Sequence, residues 1–416
     1  MITHIRQILF ISSVLFSLLS YSQGDKEKYL QNNSSVLDVS YTFPQSNFNV
    51  IGFGAYHGSA KTEDAELLLI QSVLKKNAIN YYFPETDISI AYYFNEYLRS
   101  GDEKLLKNLV ETYGTRVPQE RTVEVFNKWK KLKAINDKLP QNKKITILGA
   151  DPIVTYQYTY RHLLSLIKNK ANWKFAKELE ATVEKDTTDF SPYYDSYSKN
   201  QLKDFIANYE ANSTKYQSLI KDTAIFSHLI ATIKVSFGDY KREKEMCNNY
   251  VALSKIYNLT NKVQFFRFGF GHLLKAKEGK YESFLYMLSA NGIYPKDKIV
   301  SVIGYLTKSK VIWEDKYKDG EYVSSINSGD EGIGDSPNEY FKGIEYLKKT
   351  QRGDIMIFRL NTVGSPYNKK GSDLIEVIEN PKKRTVEYGN ATTTDFIDFA
   401  VLISNSNASK SIYTLP

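Results

Sequence analysis

Asn49–Ser59, NVIGFGAYHGS, holds an apolar run that ends in a histidine. Its apolar residues crowd together instead of alternating, and glycines 52 and 54 lie among them. Such a short run, read over 48–55 as FNVIGFGA, indicates a strand buried on both faces. It stops at His57, and a helix-period segment follows over 62–76, TEDAELLLIQSVLKK. Thr62 is its expected N-cap, and acids occupy its first turn. A buried strand passing through a short turn into a helix is the building unit of an α/β fold.

The same alternation continues along the chain. INYYFPE (79–85) reads as a second strand, and ERTVEVFNKWKKLKAIND (120–137) as an amphipathic helix with Val125, Trp129, Leu132 and Ile135 in line. KKITILGAD (143–151) and KVQFFRFGFGH (262–272) read as the third and fourth strands, with later ones over 298–306, 354–360 and 396–404. The expected architecture is a largely parallel central sheet flanked by helices, with a helical insertion over about 157–257. The polar, glycine-rich segment 310–352 reads as a surface loop or flap. Its acids Asp330, Glu331 and Asp335 do not match a calcium loop. No repeat of solenoid or propeller length is visible.

The first residues carry one arginine, Arg6, then an apolar run from Ile8 to Leu19 and small residues before Gln23. This reads as a signal peptide over 1–22, hence an exported, periplasmic or secreted bacterial protein. The run is short for a membrane span, so no membrane insertion is expected after cleavage. The remainder, 23–416, reads as one domain. Cys247 is the only cysteine, which excludes an intrachain disulfide and a four-cysteine zinc site. Net charge is +8, but the lysines are scattered among 47 acids, with no basic stripe of the kind that tracks phosphates. Nucleic acid is not an expected partner.

Four expected strands end in a residue able to do chemistry: His57, Glu85, Asp151 and His272. In open parallel sheets ligands bind beyond the carboxyl ends of the strands. A histidine held by a carboxylate can activate water as a general base. Two histidines and a carboxylate can instead hold a divalent metal with an open position. Against these stand plain readings: His57 as a loop residue, Glu85 as a turn or helix-capping carboxylate, Asp151 as a turn cap before proline. His162 and His228 sit in helical stretches and read as structural. Over 239–258, Arg242, Met246, Asn249 and Leu253 share one helix face, so Arg242 and Asn249 face the core or its rim. Arg242 either snorkels or binds an anion or carbonyl in the crevice. No GxSxG elbow and no CxxC occurs, and no covalent nucleophile stands out.

At these residues the chain resembles the erythromycin esterase family. IGFGAYHGS is similar to the family's strand leading to Gly-Glu-x-x-His-Gly. YYFPETD followed by FNEYLRSGD resembles its strand-end glutamate and Asn-x-Tyr block, and VEVFNKWKKLKAIND with ITILGADP its tryptophan helix and Gly-x-Asp strand. REKEMCNNY resembles Arg-Asp-x-x-Met-Ala-x-Asn, VQFFRFGFGH the strand carrying His-Asn-x-His, and the closing FIDFAVLISNSNASKSIYTLP the family's last strand and tail.

The resemblance implies an erythromycin esterase-like α/β fold with a helical insertion and a deep cleft, and hydrolysis of an ester or lactone by water, without a cofactor or metal. By position it makes His57 the general base, Glu85 the carboxylate that orients base or water, and His272 the second histidine. Arg242, Asn249 and Asp151 fall near the cleft as substrate-binding residues. The chain departs from the pattern at Gly54, where the family has a glutamate, at Gly269, where it has a histidine, and near Glu66, where it has an arginine. The first reading is therefore an exported hydrolase taking a small-molecule ester or lactone. A degenerate binding protein that keeps the cleft, and a metallohydrolase using His57, His272 and a carboxylate, stand as alternatives.

Overall fold

The computed structural model describes residues 25–185, 189–382 and 386–415, so the leader expected over 1–22, with His4, lies outside the described residues. The strands are β1 (Ser34–Val36), β2 (Val50–Gly54), β3 (Tyr81–Pro84), β4 (Thr146–Ile147), β5 (Gln264–Phe268) and β6 (Ile299–Thr307). They continue with β7 (Lys310–Lys318), β8 (Glu321–Gly329), β9 (Glu339–Phe341), β10 (Ile355–Arg359), β11 (Val377–Glu379) and β12 (Phe399–Ser404). Eight form the central sheet in the order β1-β10-β12-β6-β2-β5-β3-β4. From β12 to β4 neighbouring strands run parallel, while β10 and β1 close one edge antiparallel. The seven strands read from sequence all lie in this sheet; β1, three residues long, carries too little pattern to be read.

The central strands β2, β5, β6 and β12 are buried along their whole length, as a parallel sheet covered on both faces requires. Side-chain alternation divides them between two cores. Val50, Phe83, Phe266 and Phe268 join one core, which also holds Tyr156, Trp173, Leu229 and Tyr250 from the helices between 156 and 257. Ile51, Phe53, Tyr82 and Phe265 join the other, against Leu69, Ile70, Trp129 and Leu132 of the helices Ala60–Leu74 and Val123–Lys138. Phe83 stacks on Phe266 at 4.5 Å across the β3–β5 pair.

Two local expectations are corrected. The helix that follows β2 starts at Ala60, with Ser59 rather than Thr62 at its N-cap. Ser59 makes no cap bond of its own; the free N–H groups of Ala60 and Lys61 go to Asn407 O (3.0 Å) and Ser406 Oγ (2.9 Å) of the C-terminal segment. A distant segment thus does the work that a cap does locally. The segment 310–352, expected as a loop, folds into the β7–β8 hairpin, β9 and a short helix, Ile344–Lys349. The hairpin turns at Asp319 (φ 53°) and Gly320 (φ 84°), the Asp-Gly pair that favours a tight two-residue turn. Polar composition hides the ribbon because it is largely exposed, so no apolar run marks its strands.

Candidate active site

Sheet order decides which strand ends meet. β5 lies between β2 and β3, so the loops leaving these three strands are neighbours. The turn after β2 carries His57, β3 is followed at once by Glu85, and β5 runs into Gly269 and the 3-10 turn Phe270–Leu273 with His272. β4, beside β3, leads to Asp151. All four strand-end residues therefore gather at one end of the sheet. The chain crosses here from the β3–β4 side to the β6–β12 side, the switch point where open α/β sheets place ligands.

The His57 turn is fixed from outside. Gly58 adopts φ +83°, and a Cβ there would sit 2.7 Å from the Ile312 carbonyl oxygen. Glycine is required both by conformation and by that close approach. The Gly58 carbonyl accepts from the backbone N–H groups of Ile312 and Ser409, each at 2.9 Å, so β7 and the C-terminal segment clamp the turn.

Glu85 is the hub. It is buried, accepts from the Gly269 N–H (2.7 Å) and from Arg242 (2.6 Å), and lies 3.4 Å from His57 Nε2 and 3.6 Å from His272 Nε2. Each histidine has a second carboxylate on Nδ1: Glu120 for His57, in a short contact, and Glu243 for His272 at 2.5 Å. Arg242 is held in turn by Asp151 through Nε (2.9 Å) and a terminal nitrogen (2.7 Å), and Arg116 pairs with the same carboxylate at 2.7 Å.

The charges follow from these contacts. Burial opposes charge on His57, but Glu120 favours it, Arg267 opposes it and Glu85 adds support; the net effect raises its pKa above the ordinary value. For His272 burial again opposes, while Glu85 and Glu243 push the pKa up to about 10. Burial works against ionised Glu85, yet His272 and then His57 hold it well below the usual carboxylate range. Glu120, despite burial, is brought down to about 2 by His57, Lys128 and Arg267. The site at neutral pH is a compensated set of carboxylates and cations.

Behind His57 lies a second layer that the sequence reading does not contain. Glu120 sits in the 3-10 turn Pro118–Glu120, upstream of the helix that sequence periodicity starts at 120. Arg267 of β5, fully buried, faces Glu66 (3.4 Å), Glu63 (3.8 Å) and Glu120 (4.0 Å), and donates to the Phe268 carbonyl (2.9 Å). Lys128 pairs with Glu63 at 2.7 Å and Glu66 at 3.1 Å. One signal was available: a charged residue inside the apolar strand QFFRF must find a buried counter-charge. Glu66, standing near the place of an expected arginine, supplies part of that counter-charge to an arginine on another element.

The site opens into a cavity of about 410 Å³ lined by His57, Gly269, Phe270, Trp313, Phe341 and Ile375, among others. Gly269 is central to it. A Cβ built there would lie 3.5 Å from His57 Nε2, 3.6 Å from His272 Cδ2 and 3.7 Å from Glu85 Oε2. The missing side chain leaves a methyl-sized space on which all three groups converge. Gly54 is different: a Cβ there would press on Ile303 Cδ1 at 2.9 Å and the Phe270 backbone at 3.2 Å, so close packing demands it.

The remaining expected residues take supporting positions. Asp151 is buried and shared by two arginines, the partners that a turn cap would lack. Asn249 is buried; its amide donates to the Ala150 carbonyl (3.1 Å) and accepts from Thr232 (3.3 Å), tying the end of β4 to the inserted helices. Among the described residues no group of three or more His, Cys, Asp or Glu side chains is arranged to hold a metal ion. His162 stacks on Tyr92 at 4.3 Å, and burial brings its pKa down to about 3; burial lowers His228 to about 4.

The fold is the erythromycin esterase-like α/β fold. Among solved structures, a protein from Bacillus cereus superposes with a TM-score of 0.63 at 15% identity, over 94% of this chain and 99% of that one. A succinoglycan biosynthesis protein gives 0.62 at 14% identity, covering 93% and 98%. A mutant erythromycin esterase, EreC, in its open conformation gives 0.57 at 10% identity, covering 88% and 93%. No protein-family model matches the sequence, and no curated protein matches it.

Proposed function

We propose that the protein is a hydrolase that directs water at an ester or lactone from the space beside Gly269. The convergence of His57 Nε2, His272 and Glu85 on that one point carries the reading. In neutral His57 the Nδ1–H donates to the Glu120 carboxylate, which leaves the Nε2 lone pair facing the cavity as a base. A water resting there gives its proton to Nε2 as its oxygen attacks the carbonyl carbon; the tetrahedral oxyanion then collapses, the ester C–O bond breaks, and the Nε2 proton passes to the departing alkoxide. His272, cationic at neutral pH and anchored by Glu243, supplies positive charge beside the developing oxyanion. Glu85, fixed by Arg242 and the Gly269 N–H, faces Nε2 of cationic His272 and favours the imidazolium that forms when His57 accepts the proton. Export of the mature chain belongs to the same proposal. The test is hydrolysis of a panel of simple esters, lactones and macrolides by the wild type beside His57→Ala. Turnover lost in the variant supports the reading, and turnover retained overturns it. No hydrolysis by either protein favours a binding protein that keeps the same cleft, a reading that the losses at Gly54 and Gly269 already suggest.

A further inference from the structure

On the far side of Arg242 and Glu243 lies a second, larger cavity of about 710 Å³, at the start of the helix Arg242–Tyr257. Its lining includes three exposed lysines, Lys241, Lys244 and Lys280, none of which has an ion-pair partner among the described residues. The two acids that also line it are already engaged: Glu243 with His272 (2.5 Å) and Glu282 with Lys277 (2.5 Å). Arg242 is likewise balanced by Asp151 and Glu85. The first turn of the helix lines the cavity, and no side chain caps its N-terminus, where the positive end of the helix dipole lies. The wall is of another kind: buried Cys247 and Met287, half-buried Tyr286, and Ala290. A cavity that combines apolar side chains with unpaired cations matches a ligand that carries both an apolar body and a negative charge.

We propose that this cavity binds a small amphipathic carboxylate, its apolar body on the Cys247–Met287 wall and its carboxylate among Lys241, Lys244 and Lys280. The site lies outside the His57 cavity and does not need that cavity to be catalytic. It is suited to an acid of the kind that ester hydrolysis releases, since hydrolysis converts a neutral ester into a carboxylate.

Titration calorimetry with 3-phenylpropionate tests the assignment, on the wild type, on His57→Ala, on the pair Lys244→Glu with Lys280→Glu, and on Lys138→Glu as a remote charge control. Reversing two exposed cations is expected to weaken binding about tenfold, while Lys138→Glu leaves it within a factor of two. Methyl 3-phenylpropionate should bind far more weakly than the acid to His57→Ala, and inorganic phosphate, lacking the apolar body, more weakly than the acid to the wild type. No binding of the acid, equal loss in the control, or phosphate binding as tightly as the acid overturns the proposal. Acid binding by the wild type and by His57→Ala alike, alongside an absence of turnover by the wild type on the ester panel, would refute the hydrolase and leave the carboxylate site standing.

Discussion

Gly269→Ala separates catalysis from folding more cleanly than removal of a charged group. The added methyl would meet His57 Nε2 at 3.5 Å, His272 Cδ2 at 3.6 Å and Glu85 Oε2 at 3.7 Å, all ordinary contacts. The backbone at Gly269 has φ −59° and ψ 156°, a region that alanine occupies without strain. The unfolded chain loses the freedom of a glycine, so the variant should be unchanged or more stable by about 0.4–1 kcal/mol. Yet the methyl fills the space assigned to the attacking water. Displacing a reactant by about an ångström costs on the order of a hundredfold in rate, so turnover should fall by about that factor. The assay is steady-state hydrolysis of the best ester from the panel, run beside a thermal melt. A variant with wild-type turnover and an unshifted melting temperature would refute the placement of the water. Gly54→Ala is the contrast: its contacts of 2.9 and 3.2 Å make overpacking the cause, with a destabilisation of about 1–3 kcal/mol.

Glu120→Gln keeps an acceptor for the Nδ1 proton but removes the charge that most favours His57 imidazolium, so the pH at which His57 becomes a free base should fall. In the wild type, activity should rise with pH beyond the ordinary histidine range; a pH–rate profile identical in both proteins would contradict this. Arg267→Met should unfold or severely destabilise the chain, by about 3–5 kcal/mol, because it leaves three buried carboxylates, Glu63, Glu66 and Glu120, with Lys128 and His57 as their remaining counter-charges; denaturant titration measures it. The pH dependence of stability has two limbs. His272 has its pKa raised to about 10 by folding, so its contribution is fully present below the unfolded histidine value of about 6.5 and is lost as pH rises through 10. Glu120, lowered to about 2, contributes above the ordinary glutamate range and loses that contribution as pH falls toward 2. Melting temperatures from pH 2 to 11 should show both limbs, and Glu243→Gln should shrink the alkaline one.

The buried strands of the central sheet and the residues at their ends are legible in local sequence. Runs such as FNVIGFGA and VQFFRF announce strands because burial on both faces leaves no polar alternation, and the residues that follow each run, His57, Glu85, Asp151 and His272, are legible as strand-end positions. These are local facts carried by neighbouring residues. The ribbon over 310–329 shows the limit, for its strands are exposed and only the Asp319-Gly320 turn speaks for it. The tertiary structure alone decides which strand ends meet, because hydrogen-bond pairing sets β5 between β2 and β3 and nothing in the order of the chain requires that placement. It also decides that His57 rests on Glu120, 63 residues away, and that the charges of Arg267 and Lys128 are answered by Glu63 and Glu66 on another helix. A buried charge must be paired, so the sequence states the need; only packing across the sheet selects the partner.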